Sequence, residues 1–572
     1  MPTSPPRPRA DRPLVKPPLA RKRVSRSMLP PNWQPQLPKV TLAGSKLKDS
    51  VFSDLSHVLV LFPASLLAGG ELPGGLPGGG LLKRVLTRQK KKPAAMLRGV
   101  DGSQAVPVEP AIPEAMLSGG GLVRWLAVDP DASTFQMQHQ LRQALGGLLS
   151  EQPALLDIVF HGSAGFVAGV LPEAAYVAAI NRIGLPKMVA GDKAPKALKT
   201  PEIRLWAGTR DQAFLKQRLA GALVRAEANV LTRALCVLPP NQLTPGSFRA
   251  LITPQIKGLG IRAEVYDVAR LQQLKAGAFL AVSQGSPEQD AAIVHLSYAP
   301  SVKTNKMVVK SGTKTKAGAD SLPTVALVGK GICFDTGGHN LKPARYMAGM
   351  HEDMAGAAVA LAVIQAVARL KLPVRVDAWL ALSRNDIGPG AYRQGDVVTA
   401  LNGRTIEIVH TDAEGRMVLA DTLTLAVNRK PDVVMDFATL TGSMKMALGQ
   451  RMSGFFASEA FLADRLQACA NASGERLMSF VMPYDYDSAL ESQVADIKQC
   501  TLDGEADHIL AARFLHLFVG DTPWLHIDLS AATCKGGLGA VGTETTGFGA
   551  ALALAFVESV AAQGIFRPGP RF

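Results

Sequence analysis

"TVALVGKGICFDTGG", residues 324–338, decides how this chain reads. It opens as an unbroken apolar run rich in β-branched residues, with no polar alternation, so it predicts a strand buried on both faces. It then changes character: glycines flank Lys330, and Asp335 runs into a glycine pair. "GAAVALAVIQAVARL" (356–370) follows and reads as a helix; "VRVDAWLALS" (374–383) is the next strand. "TIEIVH" (405–410), helical "GRMVLADTLTLAVN" (415–428) and "DVVMDFATL" (432–440) continue the pattern. Strands alternating with helices imply a largely parallel sheet covered on both faces. In such sheets chemistry sits at the carboxyl ends of the strands.

A chain of 572 residues exceeds one core, so two α/β domains are expected, each a mostly parallel or mixed sheet flanked by helices. Residues 49–208 hold strand-like "DLSHVLVLF" and "LLDIVFHG", a helical stretch at 137–149, and "GGELPGGLPGGG", which reads as a flexible loop. Residues 209–235 keep apolar residues at spacings of three and four without proline, a helix that links the domains. Residues 236–572 form the second domain.

The net charge is +15, yet it is not spread evenly. Residues 1–48 carry +10, residues 83–98 carry +7 and residues 303–316 carry +5, so the remainder is mildly acidic. The first 48 residues are proline-rich and basic and predict a disordered tail with weak, nonspecific, salt-sensitive affinity for nucleic acid. Its arginines and serines overlap an organelle-targeting composition, although the prolines oppose the amphipathic helix such a signal needs. Five scattered cysteines show no paired spacing, which fits a reducing, cytoplasmic setting and argues against a cysteine zinc cluster. Apolar runs fall short of membrane-spanning length, so no membrane partner is expected.

Three strand ends deliver unusual polar loops. Strand 325–328 leads to Lys330, Asp335, Lys342 and Asp353; strand 406–409 leads to "HTDAEGR" (410–416); strand 433–437 leads to "ATLTG" (438–442). An isolated D-x-E-x-R is commonly a solvated turn. Four carboxylates (Asp335, Asp353, Asp412, Glu414) with Lys330, Lys342 and Arg416 on one sheet edge are another matter. The carboxylates would repel one another, and two bridged divalent ions, Mn²⁺, Zn²⁺ or Mg²⁺, would neutralise them and activate water. A lysine beside a metal can serve as ligand, a second can stabilise an oxyanion, and Arg416 can hold a small anion.

These segments resemble the leucyl (cytosol) aminopeptidase family, as do "LPPNQLTP" (238–245), "AFLAVSQGS" (278–286), "AYRQGDVV" (391–398) and "HIDLSAAT" (526–533), so the likeness covers roughly residues 210–560. The resemblance implies a two-metal exopeptidase that removes N-terminal residues, often leucine, from peptides, and a homohexamer. It implies that Asp335, Asp412 and Glu414 bind one ion, and Lys330, Asp335, Asp353 and Glu414 the other. Lys342 would stabilise the oxyanion, Arg416 would hold a bicarbonate acting as general base, and Met350, Thr439 and Gly442 would line the pocket for the first side chain. The chain departs from the family at His410 (Asn), Met417 (Leu), Thr336 (Ser), 339–341 (Ile-Ser-Ile) and Arg384 (Glu), none of them a matched ligand. His339 and His410 read as packing residues. Two other readings are a DNA-binding or scaffold protein on this fold, which the intact ligand set argues against, and a cysteinyl-glycine-type dipeptidase with a different first pocket.

Overall fold

The computed structural model describes residues 36–43, 47–97, 111–188, 201–208, 211–300 and 322–565. The basic tail before residue 36, Arg98 and the lysine-rich segment 303–316 lie outside the described residues.

The first domain has strands β1 (Lys39–Ala43), β2 (His57–Pro63), β3 (Glu114–Met116), β4 (Leu122–Val128), β5 (Leu155–Phe160) and β6 (Glu202–Trp206). They form one sheet in the order β1-β6-β5-β2-β4-β3, parallel except for the β3–β4 pair. Strand β1 corrects the tail boundary: "KVTLA" pairs in parallel with β6 as an edge strand, so the domain begins before residue 48. The glycine-proline segment also ends sooner than expected, because helix Gly79–Arg88 starts inside it and buries Leu82 and Leu86.

The second domain contributes β7 (Ile261–Asp267), β8 (Ala292–Tyr298), β9 (Thr324–Asp335), β10 (Arg375–Asn385), β11 (Val397–Thr399), β12 (Thr405–Glu407), β13 (Val433–Ala438), β14 (Ser453–Ala457), β15 (Leu477–Ser479), β16 (Ile497–Lys498) and β17 (Trp524–Asp528). Eight of these form a mixed sheet, β15-β14-β17-β13-β9-β10-β8-β7, whose centre β17-β13-β9-β10 is parallel. Two expectations change. Strand β9 runs on to Asp335, because its last residues stay paired with β10 after β13 has ended, so Lys330 and Asp335 are strand residues. "TIEIVH" gives only the short β12, which pairs with β11 and β16 in a separate three-stranded sheet; the "DAEGR" loop reaches the site from there and not from the main sheet.

Helix Gln212–Cys236 forms where the periodicity predicts a helix. It packs on helix Ala164–Asn181 of the first domain and on helix Ala355–Leu370 of the second. Its buried Arg233 donates to Ile180 O (2.9 Å) and to Thr543 Oγ1 (2.7 Å), tying both together. The stretches Ala164–Asn181 and Ala344–Leu370 are in fact long and apolar enough to cross a membrane by composition, but 67% and 89% of their apolar windows are buried within the molecule. Sheet-covering helices need that composition, and alanine supplies it without bulk.

Candidate active site

At its first turn, helix Ala355–Leu370 meets the sheet backbone to backbone, at Gly356. A Cβ on Gly329 would lie 2.4 Å from Gly356 O, and one on Gly356 would lie 2.0 Å from Phe437 O. This backbone-on-backbone approach puts Asp353, just before the helix, over Lys330 of β9. Lys330 Nζ lies 2.8 Å from Asp353 Oδ1 and 2.9 Å from Glu414 Oε1, and donates to Thr439 O at 3.0 Å. Thr439 Oγ1 donates to the same Asp353 oxygen at 2.6 Å. The side chain of Lys330 is only 3% exposed.

A few residues away lies a second ion-paired group. Lys342 Nζ is 2.9 Å from Asp335 Oδ2 and also pairs with Asp412. Asp335 Oδ1 accepts from Gly337 N (2.9 Å) and from Asn385 Nδ2 (2.8 Å). Asn385 also donates to Thr411 O, as does the Tyr392 hydroxyl (3.0 and 2.7 Å). Thr411 Oγ1 in turn donates to Gly337 O. These uncharged residues clamp the β9 loop to the "DAEGR" loop. Asn385 at the end of β10, and Tyr392 and Thr411 in loops, are uncharged and carry no signal of their own in the sequence.

Asp335, Asp353 and Glu414 are buried, and one oxygen from each falls within 4.8 Å of the others. Asp353 Oδ2 and Glu414 Oε2 are buried and find no hydrogen-bond partner. Burial, reinforced by the mutual repulsion of the acids, raises the pKa values of Asp353, Asp412 and Glu414. Those of Lys330 and Lys342 rise despite burial, because the surrounding carboxylates hold their protons. Convergent, partly unsatisfied carboxylates of this kind fit hard or borderline divalent cations.

The structure therefore brings Lys330, Lys342, Asp335, Asp353, Asp412 and Glu414 together. Thr439 touches the cluster through Asp353, and Met350 sits three residues before Asp353, half-buried. Gly442 opens helix Gly442–Leu448, and a Cβ there would meet nothing within 4 Å, which leaves room beside Thr439. His339 Nδ1 contacts Tyr392 O and His410 Nδ1 accepts from Asp412 N, so both support loops. Arg416 is buried, and its NH2 pairs with Asp507 Oδ1 at 2.6 Å, a partner that the sequence reading did not name.

Residues 230–554 match the model of the cytosol aminopeptidase family, catalytic domain. The chain belongs to that family. Among curated relatives it is similar to a probable cytosol aminopeptidase of Rhodopseudomonas palustris strain BisB18 (38% identity over 328 residues, 57% of this chain and 62% of the relative). It is similar as well to one from Roseiflexus castenholzii (39% over 300 residues, 52% of this chain and 58% of the relative). The match thus spans about three-fifths of these relatives' length. Among solved structures it resembles the bottromycin maturation enzyme BotP in complex with Mn (27% identity, TM-score 0.70, 88% of this chain and 99% of that one). A mutant tomato leucine aminopeptidase shares the fold (24% identity, TM-score 0.72, 92% of this chain and 98% of that one). The expected α/β architecture and family stand on these likenesses.

Proposed function

We propose that the chain is a metal-dependent aminopeptidase that releases N-terminal residues, preferably leucine or other apolar ones, from peptides. The observation that carries this is the buried trio Asp335, Asp353 and Glu414, the last two each with an unpartnered oxygen, in a chain of this family. Asp335, Asp412 and Glu414 would hold one ion, and Lys330, Asp335, Asp353 and Glu414 the other, so Asp335 and Glu414 are shared. Two such ions, when bound, polarise the scissile carbonyl and make hydroxide available near neutral pH. Manganese is favoured because BotP was solved with it.

The chain's own groups supply the rest. Lys342 keeps its proton and reaches the edge of the carboxylate cluster, where it can donate to a developing oxyanion. Met350, Thr439 and Gly442 shape the pocket for the first side chain. Asn385 and Tyr392 hold the two loops in register, so the charged groups need not reorganise. We place the protein in the cytoplasm as a homohexamer acting on peptides. A second reading, weak nucleic-acid binding, rests on Lys83, Arg84, Arg88, Lys90, Lys91 and Lys92, all exposed on helix Gly79–Arg88 and the turn after it; the salt dependence of DNA retention checks it.

The decisive experiment strips the protein of metal, reloads it with Mn²⁺, Zn²⁺ or Mg²⁺, and measures metal content together with turnover of aminoacyl-amides and dipeptides. Two ions per subunit and hydrolysis of leucine amide are expected. Turnover of cysteinyl-glycine alone would favour the dipeptidase reading, and no turnover with any metal would overturn the enzyme.

A further inference from the structure

A guanidinium removed from water needs an anion. Arg416 follows the "DAEGR" carboxylates directly, yet neither of them pairs with it: Glu414 turns to Lys330 and Asp412 to Lys342. Its NH1 donates to Gln499 O at 2.8 Å and its NH2 to Asp507 Oδ1 at 2.6 Å, while the side chain is 3% exposed. The anion at Arg416 is thus part of the protein, and it arrives from a different element, the first residue of helix Asp507–His516.

The residues on either side of Asp507 fix its backbone, and Gln499 fixes Arg416 opposite it. Ala506, immediately before it, adopts a left-handed backbone (φ 50°, ψ 27°) that L residues other than glycine and asparagine rarely take. Among the described non-glycine residues with positive φ, most follow the end of a helix, whereas Ala506 is the residue immediately before one. His508, immediately after, is tied to Ser443 through both its backbone N (2.9 Å) and Nδ1 (3.1 Å), and its ring meets Phe480 edge-on. Ser443 adjoins Gly442, so the helix start is fixed to the wall of the site. Gln499 completes the clamp: its carbonyl accepts from Arg416, and its Oε1 accepts from Val409 N at 2.7 Å, just ahead of the "DAEGR" loop. Asp507 is still 24% exposed, so small ions in solution can reach its position.

We propose that Asp507 is a positioning residue that fills the anion place at Arg416 with the chain's own carboxylate, so that turnover requires no bicarbonate or other small anion. This revises the bicarbonate expected from the sequence, and it rests on the peptidase reading above. The test compares wild type, Asp507→Ala, Asp507→Asn and Asp507→Glu, each loaded with Mn²⁺, in carbonate-depleted buffer. Wild type keeps full turnover there and gains nothing from added bicarbonate or formate. Asp507→Ala loses about 10- to 100-fold in kcat, the usual cost of removing a partner that orients such a site, and recovers most of it with formate or bicarbonate but not with the same concentration of chloride. Asp507→Glu retains most of the activity. Melting temperature reads the same occupancy without turnover: formate raises that of Asp507→Ala, or of Asp507→Asn if the alanine variant folds poorly, and leaves wild type unmoved. An active wild type stimulated by bicarbonate, or variants that no anion rescues in rate or melting temperature, would overturn the proposal. Absence of peptide turnover in every buffer would instead count against the peptidase reading, while the melting experiment still decides the role of Asp507.

Discussion

Lys330 and Lys342 sit in the same acidic cluster, each paired with two carboxylates, but they are built differently. Lys330 rises from the middle of a central strand, is 3% exposed, and is boxed by Asp353, Glu414 and a backbone carbonyl. Lys342 stands on a loop, is 14% exposed, and one of its partners, Asp412, is a quarter exposed. Removing the strand-borne lysine from the metal-free chain leaves Asp353 and Glu414 charges that water cannot reach. The loop-borne lysine can exchange its partners for a substrate or an ion, because water and ligands reach it. Identical residue types thus differ in how far water reaches them, according to what carries them.

The largest effect expected from this contrast is on folding. Lys330→Ala should destabilise the metal-free protein by about 3–5 kcal/mol, the cost of breaking a buried pair and leaving its partner uncompensated, read as a lowered denaturant midpoint. A loss no greater than that of Lys342→Ala would erase the distinction. Next, Lys342→Ala should lower kcat by roughly 10²–10³ with little change in KM, while the denaturant midpoint moves less than for Lys330→Ala. A variant that keeps its kcat would show that the loop lysine only balances charge.

The smallest effect is in pH dependence. Burial and neighbouring acids push Asp353 up to about 7 and Asp412 up to about 8, against an ordinary aspartate value of 3.8. Between about pH 4 and 8 the folded, metal-free chain therefore binds protons that the unfolded chain releases, and stability should fall as pH rises through that window. Both lysines stay charged throughout it and add no slope. Loading with Mn²⁺ should flatten the curve. Melts at pH 5 and 8, with and without metal, check this, and an upward slope in the metal-free protein would contradict the charge placement.

Much of this site could be read from the sequence because its charges interrupt apolar runs, and contrast with a buried strand is visible locally. Lys330, Asp335, Asp412 and Glu414 all stand out this way. Asp507 does not: it lies in "TLDGEADH", a polar stretch 91 residues from Arg416, where one more acid has no contrast and only tertiary contact gives it a role. Asn385 and Tyr392 were obscured for a similar reason, being uncharged loop-clamping residues. In the fold, "TIEIVH" and "DVVMDFATL" share one local pattern, yet only the second joins the main sheet; pairing partners, which periodicity does not encode, decide between them. Strand β1 escaped notice because five residues after a proline-rich stretch offer little pattern.

The bare contact between Gly356 and Phe437 O has a consequence for how the site can vary. Most interior distances in a protein are set by side-chain size and drift as cores are repacked over generations. Here, at the first turn of the helix, the approach of Gly356 to Phe437 O is measured in peptide units alone. Substitution elsewhere in the domain can change what surrounds that contact but has no side chain there with which to retune it, whereas any side chain added at Gly356 itself would collide with Phe437 O.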